Sequence, residues 1–199
     1  MTFGRAERWR WLALGGIVGP VAFVGAWIGC GLATTGYSAV SNAISDLARI
    51  GAATRPAMST GFVVYGVGVP VYALALRRAL PGRAWIAAVV CGVSTLGVAA
   101  VPLGWGHDGR HGLFAGIGYV AIAALPALAV APLRSAGRSR WATTSLMMAL
   151  AAGAGLVATV AGPAHGFFQR AGLTIGDVWI VTSAVLILAG RSVPAGRRG

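Results

Sequence analysis

The sequence predicts an all-α integral membrane protein, with six transmembrane helices in a compact bundle and a short amphipathic outer helix between spans 1 and 2. Three observations carry that prediction. Of 199 residues, 57% are hydrophobic and only 10% charged, with a mean hydropathy of +0.77, outside the balance of a soluble domain. Six segments reach roughly the 20 apolar residues a helix needs to cross a bilayer. The arginines between those segments alternate between many and few, as they do where charge sets orientation.

The spans fall at 11–33, 56–76, 84–104, 113–133, 141–162 and 173–190, one membrane domain over 1–199. The first follows arginines, as a signal peptide would, but its 23 residues exceed the roughly 7–15 of a signal segment, so it reads as a retained helix. The last is the shortest and carries Asp177 near its start. Cys30 ends the first span and Cys91 opens the third, at opposite depths, so no disulfide is expected between them.

All sixteen basic residues are arginine. Arg5, Arg8 and Arg10 precede span 1; Arg77, Arg78 and Arg83 follow span 2; Arg134, Arg138 and Arg140 follow span 4; Arg191, Arg197 and Arg198 follow span 6. The alternate gaps hold only Arg49, Arg55, Arg110 and Arg170. Twelve against four places both termini in the cytoplasm. Trp9, Trp11, Trp85 and Trp141 then mark the inner boundary, and Trp27, Trp105 and Trp179 the outer one. The arginines come in small groups between apolar runs, which gives no basic stripe, so nucleic acid is excluded as a partner despite a pI of about 11.7. Arginine without lysine, with abundant Ala and Gly, fits a GC-rich bacterial source and a multi-pass place in the inner membrane, among its lipids.

Glycines four apart at Gly15/Gly19, Gly25/Gly29 and Gly112/Gly116 are expected to bring helices close. Pro20, Pro70, Pro102 and Pro126 are expected to kink them and leave room for a pocket.

Polar chemistry gathers on one side. Asp46, Asp108, Asp177, His107, His111 and His165 all fall at or near the outer face in this topology, and the cytoplasmic gaps between spans have none. In 38–51, at about 100° per residue, Val40, Ala43, Ile44, Leu47, Ala48 and Ile50 share one arc. Ser38, Ser41, Asn42, Ser45, Asp46 and Arg49 share the other. Such a helix lies on the bilayer with its polar face in water, or turns that face inward so that Ser41, Ser45 and Asp46 line a cleft. In GWGHDGRHG, His107 and His111 stand at the four-residue spacing that aligns two imidazoles for a metal, although the surrounding glycines disfavour a helix. His165 supplies a third nitrogen, Asp46 a further zinc ligand, and Asp108 and Asp177 could orient the rings. Arg170, like Arg49 and Asn42, joins the outer polar set.

SNAISDL after span 1, His111-Gly112 before span 4 and GFFQRAGLTIGDVW leading into span 6 resemble the bacterial membrane family known as domain of unknown function nine-nine-eight. That resemblance implies six spans and an outer interfacial helix, and no reaction. The inventory of serine, aspartate and three histidines is faintly similar to that of the ceramidase and adiponectin-receptor-like hydrolases, in a different order and with one span fewer.

The leading expectation is therefore an outer-face zinc site of His107, His111 and His165, with Asp46 or Asp108 as base and Ser41 or Ser45 beside it. It would hydrolyse a lipid or isoprenoid substrate. Two alternatives stand beside it: a non-catalytic membrane partner or assembly factor, and a metal-free, acid-initiated lipid or terpene cyclase. The cyclase would use Asp46 or Asp177 in an aromatic pocket drawn from Trp27, Trp105, Trp179 and Phe114.

Overall fold

The computed structural model describes residues 5–191. They form six α-helices: α1 (Gly15–Ala33), α2 (Arg55–Ala79), α3 (Ala84–Ala100), α4 (Asp108–Ser135), α5 (Ser139–Ala161) and α6 (His165–Leu188). A 3-10 segment, Arg5–Leu14, leads into α1, and a 3-10 turn, Ile44–Ala48, lies between α1 and α2. No strand occurs among the described residues. Five helical stretches are long and apolar enough to cross a membrane; α3 has 17 residues, or about 26 Å at 1.5 Å per residue, slightly short of a ~30 Å hydrocarbon core. The third segment thus ends at Ala100 rather than at 104, because the Pro102 ring cannot continue it.

Each helix packs on the next in sequence, and α6 returns to touch α1, α2 and α4 as well as α5. The result is an up-and-down bundle closed around α6. One end gathers the α1–α2 connection, the α3–α4 turn and the start of α6: the Ile50 N–H donates to the Leu103 carbonyl at 3.0 Å and the Phe167 N–H to the Val40 carbonyl at 3.0 Å. We call residues 34–54 the strap and this the strap end. At the other end the Arg138 guanidinium donates to the Arg191 carbonyl at 2.7 Å, and Arg10 lies against Gly190.

The three glycine pairs part company. A Cβ on Gly15 would stand 2.2 Å from the Gly68 carbonyl oxygen, and Gly19 sits over Tyr65, so this pair seats α1 on α2. Gly25, Gly29, Gly112 and Gly116 face open space. A glycine spacing identifies a smooth helix face; only the neighbouring helix decides whether that face is used.

Two further expectations are corrected. Helix α6 begins at His165, eight residues before the expected start, so Asp177 is its thirteenth residue of 24 and lies in the middle of the bundle. The stretch HGFFQRAG falls in the gap expected before the sixth span. It is helical because Gln169 and Arg170 turn inward to partners on the strap. Trp179 is not a boundary residue: it is 1% exposed, stacks on Trp141 at 6.3 Å and donates to the Ser145 hydroxyl at 2.9 Å.

Replacing Gly68 by leucine should force α1 off α2 and destabilise the bundle by about 1–3 kcal/mol. Gly112→Leu, on an open face, should stay within about 0.5 kcal/mol. Equilibrium unfolding of both variants in detergent micelles checks the pair; equal losses would contradict this packing.

Candidate functional site

The strap is held by side chains more than by its own helix. The amphipathic helix expected over 38–51 reduces to the five residues Ile44–Ala48, flanked by turns. Its apolar arc survives in part: Ile44, Leu47 and Ala48 are buried, whereas Val40 and Ile50 are exposed. Of the polar arc, Ser45 turns inward and is buried, Ser41 and Arg49 stay exposed, and Asn42 and Asp46 are half-buried. A short 3-10 turn rotates about 120° per residue, so the wheel drawn for an α-helix cannot hold across it.

The two residues that fix the strap come from α6. The Arg170 guanidinium donates through Nη1 to the carbonyls of Ala39 and Asn42, both at 2.9 Å, and of Gly166 at 2.8 Å. Through Nη2 it donates to the Tyr37 hydroxyl. It lies 5.3 Å from the Trp27 ring centre and 5.5 Å from that of Tyr37. Arg170 is 6% exposed, and among the described residues no carboxylate pairs with it. The charge is therefore accommodated by carbonyl dipoles and ring faces. Burial raises the Tyr37 phenol above its ordinary pKa although Arg170 pulls the other way, so Tyr37 meets the guanidinium as a neutral hydroxyl. Gly166 permits the approach: a Cβ there would be 2.3 Å from the Asn42 carbonyl oxygen. Beside it, the Gln169 carboxamide oxygen accepts the Ile44 N–H at 2.8 Å, and its amide nitrogen donates to the Tyr119 hydroxyl.

Under the strap lies a cavity of about 50 Å³, partly open to the exterior. Five aromatic rings line it: Phe23 from α1, Phe62 and Tyr65 from α2, and Phe114 and Tyr119 from α4. The polar lining is Ser45, Thr95, Cys91 and Gln169. On α6, Gln169 and Leu173 line the cavity, and Asp177, four residues further, occupies the same helix face one turn deeper. The Asp177 carboxyl interacts with Tyr65 and Cys91, whose hydroxyl and thiol are 3.4 Å apart. Neither Asp177 oxygen has a hydrogen-bond partner, and Asp177 is 3% exposed.

The histidines do not meet. His111 is buried, with Nδ1 2.7 Å from the Val101 carbonyl oxygen, whereas His107 and His165 are exposed. No group of three or more His, Cys, Asp or Glu side chains able to hold a metal ion forms among the described residues. The expected zinc set of His107, His111, His165 and Asp46 therefore does not assemble. Asp46 instead accepts the Ala43 N–H at 3.0 Å and an Arg49 N–H at 2.9 Å, and Asp108 accepts the Gly104 N–H at 2.8 Å at the start of α4. Both carboxylates shape local backbone. Of the aromatic candidates only Phe114 lines the cavity; Trp105 is exposed beside His107. Gln169 was legible in principle, since Gln169, Leu173 and Asp177 keep a four-residue spacing. Tyr65, Cys91, Thr95 and Tyr119 sit inside apolar runs and had no such signal.

A family model described as Protein of unknown function (DUF998) matches residues 17–186. No curated protein and no solved structure matches the chain.

Arg170→Met keeps much of the stem and removes the donors. It should release the strap, at a loss of at least about 2 kcal/mol from charge-assisted hydrogen bonds, and raise amide hydrogen exchange across residues 37–48. Unchanged exchange there would show that the strap does not depend on Arg170.

Proposed function

The chain belongs to the DUF998 family, and from the geometry of its cavity we propose that it is a multi-pass membrane protein that binds one apolar molecule, a single lipid or isoprenoid chain, beneath the strap. The observation that supports this most is the lining: five aromatic rings with a few inward polar groups around a cleft partly open to the exterior, the mainly apolar and sparsely polar composition of small-molecule sites. Gln169, Tyr119 and Ser45 stand at the strap end of that space and would orient a polar head. In this reading α3 is the sixth crossing, the strap faces outward, and both termini lie in the cytoplasm of a bacterial cell, an orientation supported by twelve arginines against four.

Zinc-dependent hydrolysis has no assembled ligand set among the described residues, because the expected ligands are dispersed. The acid-initiated cyclase would need a carboxyl opening into the cavity, and Asp177 stands behind Tyr65 and Cys91 rather than among the lining residues. Binding is thus the function the arrangement supports best.

The test uses the full chain in nanodiscs of neutral lipid with farnesol as the probe. Wild type should bind one farnesol, and Ala115→Phe and Thr95→Leu, which fill the cavity, should each weaken binding about tenfold or more, equivalent to about 1.4 kcal/mol. Native mass spectrometry and calorimetry read both quantities. Equal binding by wild type and both filled variants would place the ligand elsewhere.

A further inference from the structure

Asp177 is the unexplained group of the bundle. It is an acid deep among apolar helices, nine-tenths buried and more, with both oxygens unpartnered, and no arginine pairs with it among the described residues. An acid placed this way in a membrane protein marks a functional position, because desolvating it without a partner is costly. Its polar neighbours among the described residues include Tyr65 and Cys91, both of which line the cavity.

A second, independent feature points to the same ligand chemistry. The cavity is lined by the aromatic side chains of Phe23, Phe62, Tyr65, Phe114 and Tyr119, and an aromatic ring attracts a cation over its negative face most strongly where water is excluded. Aromatic walls above a buried acid make a site for a hydrophobic cation.

Building on the cavity reading, we infer that the ligand carries one positively charged nitrogen, an amine on an apolar chain, seated among the rings with Asp177 as its counter-charge. The Tyr65 hydroxyl bridges the two: it accepts a hydrogen bond from the ammonium and donates its own to the Asp177 carboxylate, which satisfies the donor and the acceptor together. The opposing charge of Arg170 lies seven residues away on α6, roughly 10 Å along the helix, and three carbonyls already hold it. An anionic head would leave Asp177 unpaired and add a second negative charge beside it.

Farnesylamine and farnesol share one chain and differ in the head, so they separate this inference from the cavity reading. In neutral-lipid nanodiscs, with binding to empty nanodiscs subtracted, wild type should bind the amine about tenfold or more tighter than the alcohol. Asp177→Asn should abolish that preference, and the circular dichroism and thermal unfolding of the variant in the same nanodiscs report that it is folded. Tyr65→Phe, which keeps the ring and removes the bridge, should reduce it. Equal affinity of wild type for both probes overturns the inference and leaves the cavity reading standing. A preference retained in Asp177→Asn overturns it too, and failure of wild type to bind either probe overturns both.

Discussion

The arrangement depends on one buried cation. Arg170 has no carboxylate partner among the described residues, yet it is held by three backbone carbonyls, a tyrosine hydroxyl and two ring faces. Two of those carbonyls, of Ala39 and Asn42, belong to the strap, a stretch with little regular structure to satisfy its backbone, and the third, of Gly166, belongs to the first turn of α6. The guanidinium and the strap therefore solve each other's desolvation problem. Together with the Gln169 carboxamide, which accepts the Ile44 N–H, that exchange fixes Ile44 and Ser45 over the cavity.

Helix α6 is the element on which these constraints converge, because it alone touches four other helices. Its inward face reads from the strap end as Arg170 and Gln169, then Leu173, then Asp177, and below that Ser183, which bonds the Tyr72 hydroxyl at 2.5 Å. Polar groups are stacked in layers through the bundle, and among the described residues Asp177 is the one acid with both oxygens buried and unpartnered. The cavity sits between the layer of Arg170 and Gln169 above and that of Asp177 below.

Much of the helical frame was legible because hydropathy and length act locally: a run of apolar residues long enough to cross lipid must satisfy its own backbone, and a helix does so. The five long helices follow from that argument alone, whereas the contact made by Gly15 and Gly19 needed the neighbouring helix as well as the spacing. The start of α6 was not legible, since Gln169 and Arg170 are tolerated in a buried helix only through partners on the strap, 125 to 131 residues earlier in the chain. The histidine spacing misled for a related reason: residues four apart share a face, but His111 turned to Val101 while His107 remained at the surface.

By itself the sequence determined the membrane class, the approximate helix positions and the imbalance of arginine between the two sets of gaps, all of which follow from composition along short windows. Tertiary structure decided which polar residues lie inside. Asp46 and Asp108, the acids that looked chemical, cap and close turns; Asp177, which looked like a span-end residue, lies at the centre beside Tyr65 and Cys91. The physical reason is that burial and partnership are properties of pairs brought together by the fold, and no periodicity along one segment contains the segment it will meet.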